Sequence, residues 1–289
     1  MHIVLSLGPL NRVSAISLRI LAAGIVCALC FSSAALKAQN NEKNEQNEAV
    51  FTLPMELDFD GGADNGDATF LKLQPLFQVP LTEDWSLLSL NILMLADAPG
   101  GIPGSPGNPS PSPGAKTFGL GDFTTSFLLA PNRSGRFLWA AGFMATLPFA
   151  TDSTLGSKMW SAGPAVRAVY REGPWNLAIF GGNQWSYAGE SDRSDINQLM
   201  LRASIRRNLA NNWYLLSAPI ITANWKANKS SDTWMLPLGG GIGKVLGTGS
   251  FNWALSMQAY ANVIKPDGAP DWVIRFGVAA PLSLSFFGL

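Results

Sequence analysis

The feature that most limits what this chain can fold into is a change of polarity at every residue. In FNWALSMQAYANV, residues 251–263, Phe251, Trp253, Leu255, Met257, Ala259, Ala261 and Val263 share one parity, and Asn252, Ser256, Gln258 and Asn262 share the other. Successive side chains of a strand point to opposite faces, so this segment reads as a strand with one apolar side. The pattern recurs. Phe137, Trp139, Phe143, Leu147 and Phe149 oppose Arg136, Gly142 and Thr146, while Trp160, Ala162, Val166, Ala168 and Tyr170 oppose Ser161, Gly163, Arg167 and Arg171. Leu199, Leu201, Ala203 and Ile205 oppose Gln198, Arg202, Ser204 and Arg206, and Leu71, Leu73, Phe77, Val79 and Leu81 oppose Lys72, Gln74 and Gln78. WNLAIFGGNQW is poorer, because it places Asn183 on the apolar face.

A soluble sandwich also alternates, but it turns its apolar face inward and keeps the other face charged. Here the second face is small and polar and aromatic residues collect at strand ends, the signature of a transmembrane barrel with a polar lumen and aromatic girdles. A soluble β-sandwich, the competing fold, would partition into water without detergent. Trp213 and Trp225 lie twelve residues apart with the same parity. At ~3.3 Å per residue and a tilt of ~45° they sit ~28 Å apart along the membrane normal, close to the ~25 Å apolar band. The expected girdle is Trp139, Trp160, Trp175, Trp213, Trp225, Trp234, Trp253 and Trp272, each ring in lipid with its N–H towards water.

Spans fall near residues 49–59, 68–81, 85–96, 117–130, 136–150, 159–172, 174–187, 196–208, 213–226, 233–245, 251–264 and 271–287. The expected fold is therefore all-β: a transmembrane antiparallel up-and-down β-barrel of about 12 strands, after a cleaved signal peptide. Short turns such as EG and LANN alternate with longer connections such as TDSTLGSK, GESDRSD and the Pro-Gly-Ser stretch from Pro99 to Lys116. Pro219 requires its strand to break the ladder there. Pro54, Glu56, Asp58 and Asp60 fit either a first strand or a plug.

Residues 1–38 read as the signal: Arg12 and Arg19 precede the apolar run Ile20–Phe31, and Ala38 is a plausible last residue before cleavage. Residues 39–49 read as a disordered polar lead-in, and 50–289 as the barrel. No later window offers 18 apolar residues, which excludes helical spans. His2, Cys27 and Cys30 all lie in the signal. A mature chain without His or Cys has no Ser-His or Cys-His nucleophile and no His-Cys metal site, so no catalytic residue, metal or cofactor is expected. Removing Arg12, Arg19 and Lys37 leaves 17 basic and 20 acidic residues, a balance that does not court nucleic acid. The acidic loop Glu190, Asp192, Asp195 matches no EF-hand spacing, and GGGIG at 239–243 lacks a following helix, so a solvated loop and a strand bend are the expectations.

The segments LQPLFQVPLTEDWSLL, FGLGDFTTSFLLAP, LPFATDSTLGSKMWSAGPA, NNWYLLSAPIITANW, LPLGGGIGKV and MQAYANVIKPDGAPDWVIRF resemble, in that order, a widespread bacterial outer-membrane family. It is labelled as a component of the MetA pathway of phenol degradation and often misnamed neuromedin U. The resemblance covers about residues 50–280. It implies a transporter-like barrel in the cell outer membrane that takes up small, often aromatic compounds. Its expected partners are the lipid bilayer, the barrel-assembly machinery and small-molecule solutes. The chain departs from many such barrels by ending Phe286, Phe287, Gly288, Leu289 instead of on an aromatic residue.

The candidate pore-lining residues are Lys72, Gln74, Asp122, Arg167, Arg171, Arg202, Arg206, Gln258 and Arg275. Two readings of them stand. In a water-filled lumen the excess of arginine favours anions or the carboxylate end of a solute. In a narrow lumen Asp122 and scattered acids pair with the arginines and fill it, leaving a closed structural or surface-interaction barrel.

Overall fold

The computed structural model describes residues 50–99, 116–133, 135–248, 251–279 and 281–283. The expected signal and lead-in, the interior of the Pro-Gly-Ser loop and the chain beyond Ser283 lie outside the described residues.

Among the described residues twelve antiparallel strands form one sheet. They are β1 (Val50–Thr52 and Met55–Gly61), β2 (Ala68–Leu73 and Leu76–Pro80), β3 (Trp85–Pro99), β4 (Lys116–Leu120 and Phe123–Pro131), β5 (Phe137–Leu147) and β6 (Met159–Glu172). Then follow β7 (Trp175–Gly189), β8 (Asn197–Asn208), β9 (Trp213–Ser217 and Ile220–Asn224), β10 (Trp234–Thr248), β11 (Phe251–Ile264) and β12 (Trp272–Ala279 and Pro281–Ser283). Each strand pairs with its sequence neighbours, and β1 pairs with β12, Trp272 opposite Gly61 and Val50 opposite Ser283, which closes the barrel. Closure removes the sheet edge, and in hydrocarbon that is obligatory because no water is present to satisfy a free N–H or C=O. Residues 50–61 are thus a strand and not a plug.

Four strands break their ladder at a proline or at Gly121–Asp122, and other groups take up the freed backbone. Gln74 N donates to Pro54 O at 2.9 Å, Asn91 N to Pro75 O at 3.1 Å, Gly121 N to Met94 O at 2.8 Å and Ala203 N to Pro219 O at 3.3 Å. The break that Pro219 demands is present, between Ser217 and Ile220. At the short-turn rim Gly173 and Asn211 adopt φ of 51° and 56°, the left-handed conformation that Gly and Asn tolerate best.

The outer face is apolar: Phe127, Leu129, Phe143, Val166, Ile179, Ile205, Leu215, Ile242, Met257 and Phe276 are all exposed on it. In a barrel of this kind that band meets lipid. Trp85, Trp139, Trp175, Trp213 and Trp253 mark the short-turn rim, and Trp160, Trp185, Trp225, Trp234 and Trp272 the long-loop rim. Of the predicted set Trp253 is half-buried and the others are exposed. Trp225 departs from the expectation of a water-facing N–H. Its Nε1 donates to Asn183 Oδ1 at 2.7 Å, and Asn183 Nδ2 donates to Asn197 Oδ1 at 2.9 Å, which accounts for an asparagine on the outer face.

Candidate functional site in the barrel lumen

Residues paired across neighbouring strands share a face. The register sets Glu56 opposite Lys72, Asp58 opposite Arg275 and Arg275 opposite Gln258, all inward. Arg275 Nε and Nη2 donate to the two oxygens of Asp58 at 2.8 and 2.9 Å, while its Nη1 donates to Ala218 O at 3.1 Å. Lys72 Nζ adds a bond of 2.7 Å to Asp58 Oδ2. Arg202 donates to Glu56 through Nη2 and to Gln74 Oε1 through Nη1, the latter at 2.9 Å. The Tyr260 hydroxyl accepts from Ala218 N at 2.8 Å and donates to Gln258 Oε1 at 2.5 Å. The Pro219 break therefore hands both polar atoms of Ala218 to lumen side chains. Burial of so much charge is tolerable because Lys72, Arg202 and Arg275 are each hydrogen-bonded to a carboxylate; among the described residues Glu56 Oε2 and Asp60 Oδ1 have no hydrogen-bond partner.

Among the described residues Asp122 does not pair with an arginine. Its Oδ2 accepts from Ser157 N and Oγ, both at 2.7 Å. This ties down the β5–β6 loop, whose Leu155, 1% exposed, packs against Ala68, Phe70, Ala96 and Ala98. Those residues share the face of Lys72, so the loop folds into the long-loop mouth. Thr151 Oγ1 accepts from Leu120 N at 3.0 Å and fastens the same loop. Its half-buried Asp152 is held below the usual carboxylate range by the backbone N–H of Thr154.

The middle of the lumen is apolar. Leu88, Leu128, Ala140, Met144 and Ala165 are buried together, with Leu76, Leu90, Ala130, Phe180 and Met200 packed against them. All point inward: Leu88 faces Gln78 and Leu128, and Phe180 lies between Arg167 and Arg202. Sequence reading missed this layer, because the segment WSLLSLNIL is apolar on both faces and its parity carries no contrast. Two cavities flank the layer. One of about 250 Å³ opens towards the long loops, with Asp60, Asn65, Phe70, Lys72 and Arg275 among its walls. The other, about 310 Å³, lies at the short-turn end against Gln78, Leu88, Asn132 and Arg167. Strand β2 shows the sequence of environments: Ala68, Phe70 and Lys72 line the first cavity, Gln74 bonds Arg202, Leu76 joins the apolar layer, and Gln78 lines the second cavity.

Of the remaining predicted residues, Arg206 Nε donates to Asn208 Oδ1 at 2.9 Å, and its guanidinium lies 3.8 Å from the Tyr214 ring centre. Arg171 lies in one row with Asn176 and Arg206. Among the described residues Arg167, Arg171 and Arg206 make no ion pair with a carboxylate. The glycines of GGGIG mark a close approach, as a Cβ on Gly243 would lie 2.2 Å from the Tyr214 ring. In the acidic loop Glu190 meets Lys158 at 2.7 Å and Asp195 meets Lys226 at 3.4 Å.

A crystal structure of an outer membrane channel from Pseudomonas putida F1 matches this one with a TM-score of 0.58 at 14% identity, covering 84% of this chain and 100% of that one. This chain has the fold of an outer-membrane β-barrel. The β domain of the Bordetella autotransporter BrkA (TM-score 0.42, 13% identity, 82% and 100% covered) and the translocator domain of NalP from Neisseria meningitidis (0.41, 9%, 91% and 98%) also match, more loosely. No family model matches the sequence, and no curated protein matches it.

Proposed function

We propose that the protein is an outer-membrane channel for the passive passage of small solutes, hydrophobic or aromatic compounds among them, and that it does no catalysis. The observation that carries this reading is the pair of cavities at opposite ends of one lumen, with only inward side chains of the barrel wall between them among the described residues. Side chains rearrange on timescales on which a backbone plug does not. The apolar layer suits a solute that sheds water to cross. The resemblance to the MetA-pathway family and the similarity to an outer membrane channel point the same way. The bilayer, the assembly machinery and the solutes are the partners this function needs.

The fully buried Leu128 and Met144 favour a second reading, a closed barrel acting through its loops. Proteoliposomes decide between them. Efflux of small solutes that requires folded protein supports the channel, whereas vesicles that stay sealed with folded protein present support the closed barrel.

A further inference from the structure

The charges of the lumen divide by height. Around the long-loop cavity three acids, Glu56, Asp58 and Asp60, accompany three bases, Lys72, Arg202 and Arg275, and every one of these bases is hydrogen-bonded to a carboxylate. At the short-turn end the balance fails. Arg167 lines the cavity there, half-buried, and among the described residues it has neither a hydrogen bond nor an ion pair. Arg133 stands at the lip of the same cavity, and Arg171 and Arg206 sit at the same end, none of them ion-paired among the described residues.

We propose that the short-turn cavity binds small monocarboxylates that carry an apolar body, with Arg167 as the anchor. A guanidinium withdrawn from water without a partner is unfavourable, and a carboxylate fits its planar fork with two parallel bonds. The neighbouring arginines add attraction for an anion and repel an amine. Leu88, Leu138, Ala140 and Val169 give the cavity an apolar wall that a bare inorganic anion would leave in water. Gln78 supplies a further polar contact. This deepens the proposed passage by naming a solute class, and it rests on that reading only in treating the bound acid as cargo.

The test is calorimetric titration of the full folded chain in detergent with hexanoate, hexanol and hexylammonium. Hexanoate is expected to bind at least about tenfold tighter than hexanol, the worth of a charge-assisted hydrogen bond. Arg167→Gln is expected to erase that preference, and Arg167→Lys to keep part of it. Equal binding of hexanoate and hexanol, preference for hexylammonium, or an unchanged preference in a folded Arg167→Gln protein overturns the proposal. Heat-modifiable gel migration establishes that each variant is folded. Liposome efflux is measured apart: flux without hexanoate preference overturns this inference, and hexanoate binding without flux overturns the passage reading alone.

Discussion

Arg275 grips Asp58 with two parallel bonds across the seam where the last strand meets the first. Replacing Arg275 by Met leaves Asp58 with Lys72 alone and strips Ala218 O of its donor. Breaking one side of a buried pair costs about 3–5 kcal/mol. The urea midpoint in lipid, or the temperature at which the compact gel band is lost, is expected to fall accordingly. The double variant Asp58→Asn, Arg275→Met is expected to recover part of the loss, because position 58 then carries no buried charge that Lys72 alone must balance.

The Tyr260 hydroxyl is the partner of Ala218 N, whose strand is interrupted by Pro219. Tyr260→Phe orphans a buried N–H at a cost of about 1–3 kcal/mol. Hydrogen exchange at Ala218 is expected to accelerate while the amides of β11 keep their protection. Equal exchange in both proteins would show that the hydroxyl does not secure the break.

Met144 and Leu128 fill the centre of the apolar layer with no exposed surface. Met144→Ala opens a void there and destabilises by about 2–5 kcal/mol. If the layer is the barrier to passage, single-channel conductance and solute efflux both rise. Conductance that does not change in a folded variant places the barrier elsewhere.

Two long loops are joined by Lys229 and Asp267, 2.8 Å apart, with Asp232 receiving the backbone N–H of Asp267. The hydrogen bond from Lys229 holds the Asp267 carboxyl below its usual range, and the same bond holds the Lys229 ammonium above its own. The lowered acid contributes above the ordinary Asp pKa and is lost as pH falls through its folded value; the raised base contributes below the ordinary Lys pKa and is lost as pH rises through its own. Spin labels at Asn228→Cys and Pro266→Cys are expected to report a narrow distance from about pH 5 to about pH 9, broadening below about pH 4. With Asp267→Asn the distribution is expected to be broad at every pH.

Strand count, strand parity and the closure of the barrel were legible because polarity alternates wherever lipid lies on one side and a polar interior on the other. Leu199 to Ile205 against Gln198 to Arg206 is the clear case. Legibility ended where the contrast ended. Leu76, Leu88, Leu90 and Leu128 face inward but look like their outward neighbours, so an apolar lumen was invisible to parity. The ion pairs were hidden for another reason: Glu56 and Arg202 lie 146 residues apart, and only the curvature of the closed sheet brings them together. Leu155 was a missed signal, the one large apolar residue in TDSTLGSK, whose burial at the mouth required a loop that turns inward.

The seam has a consequence for assembly. Asp58 and Arg275 are 217 residues apart in the chain, yet each neutralises the other. An unfinished polypeptide, lacking its final hairpin, has only Lys72 to set against Asp58 and must keep the early acids in fuller contact with water. The interior thereby acts as a completeness check: only a ring with all its staves can be dry at the centre.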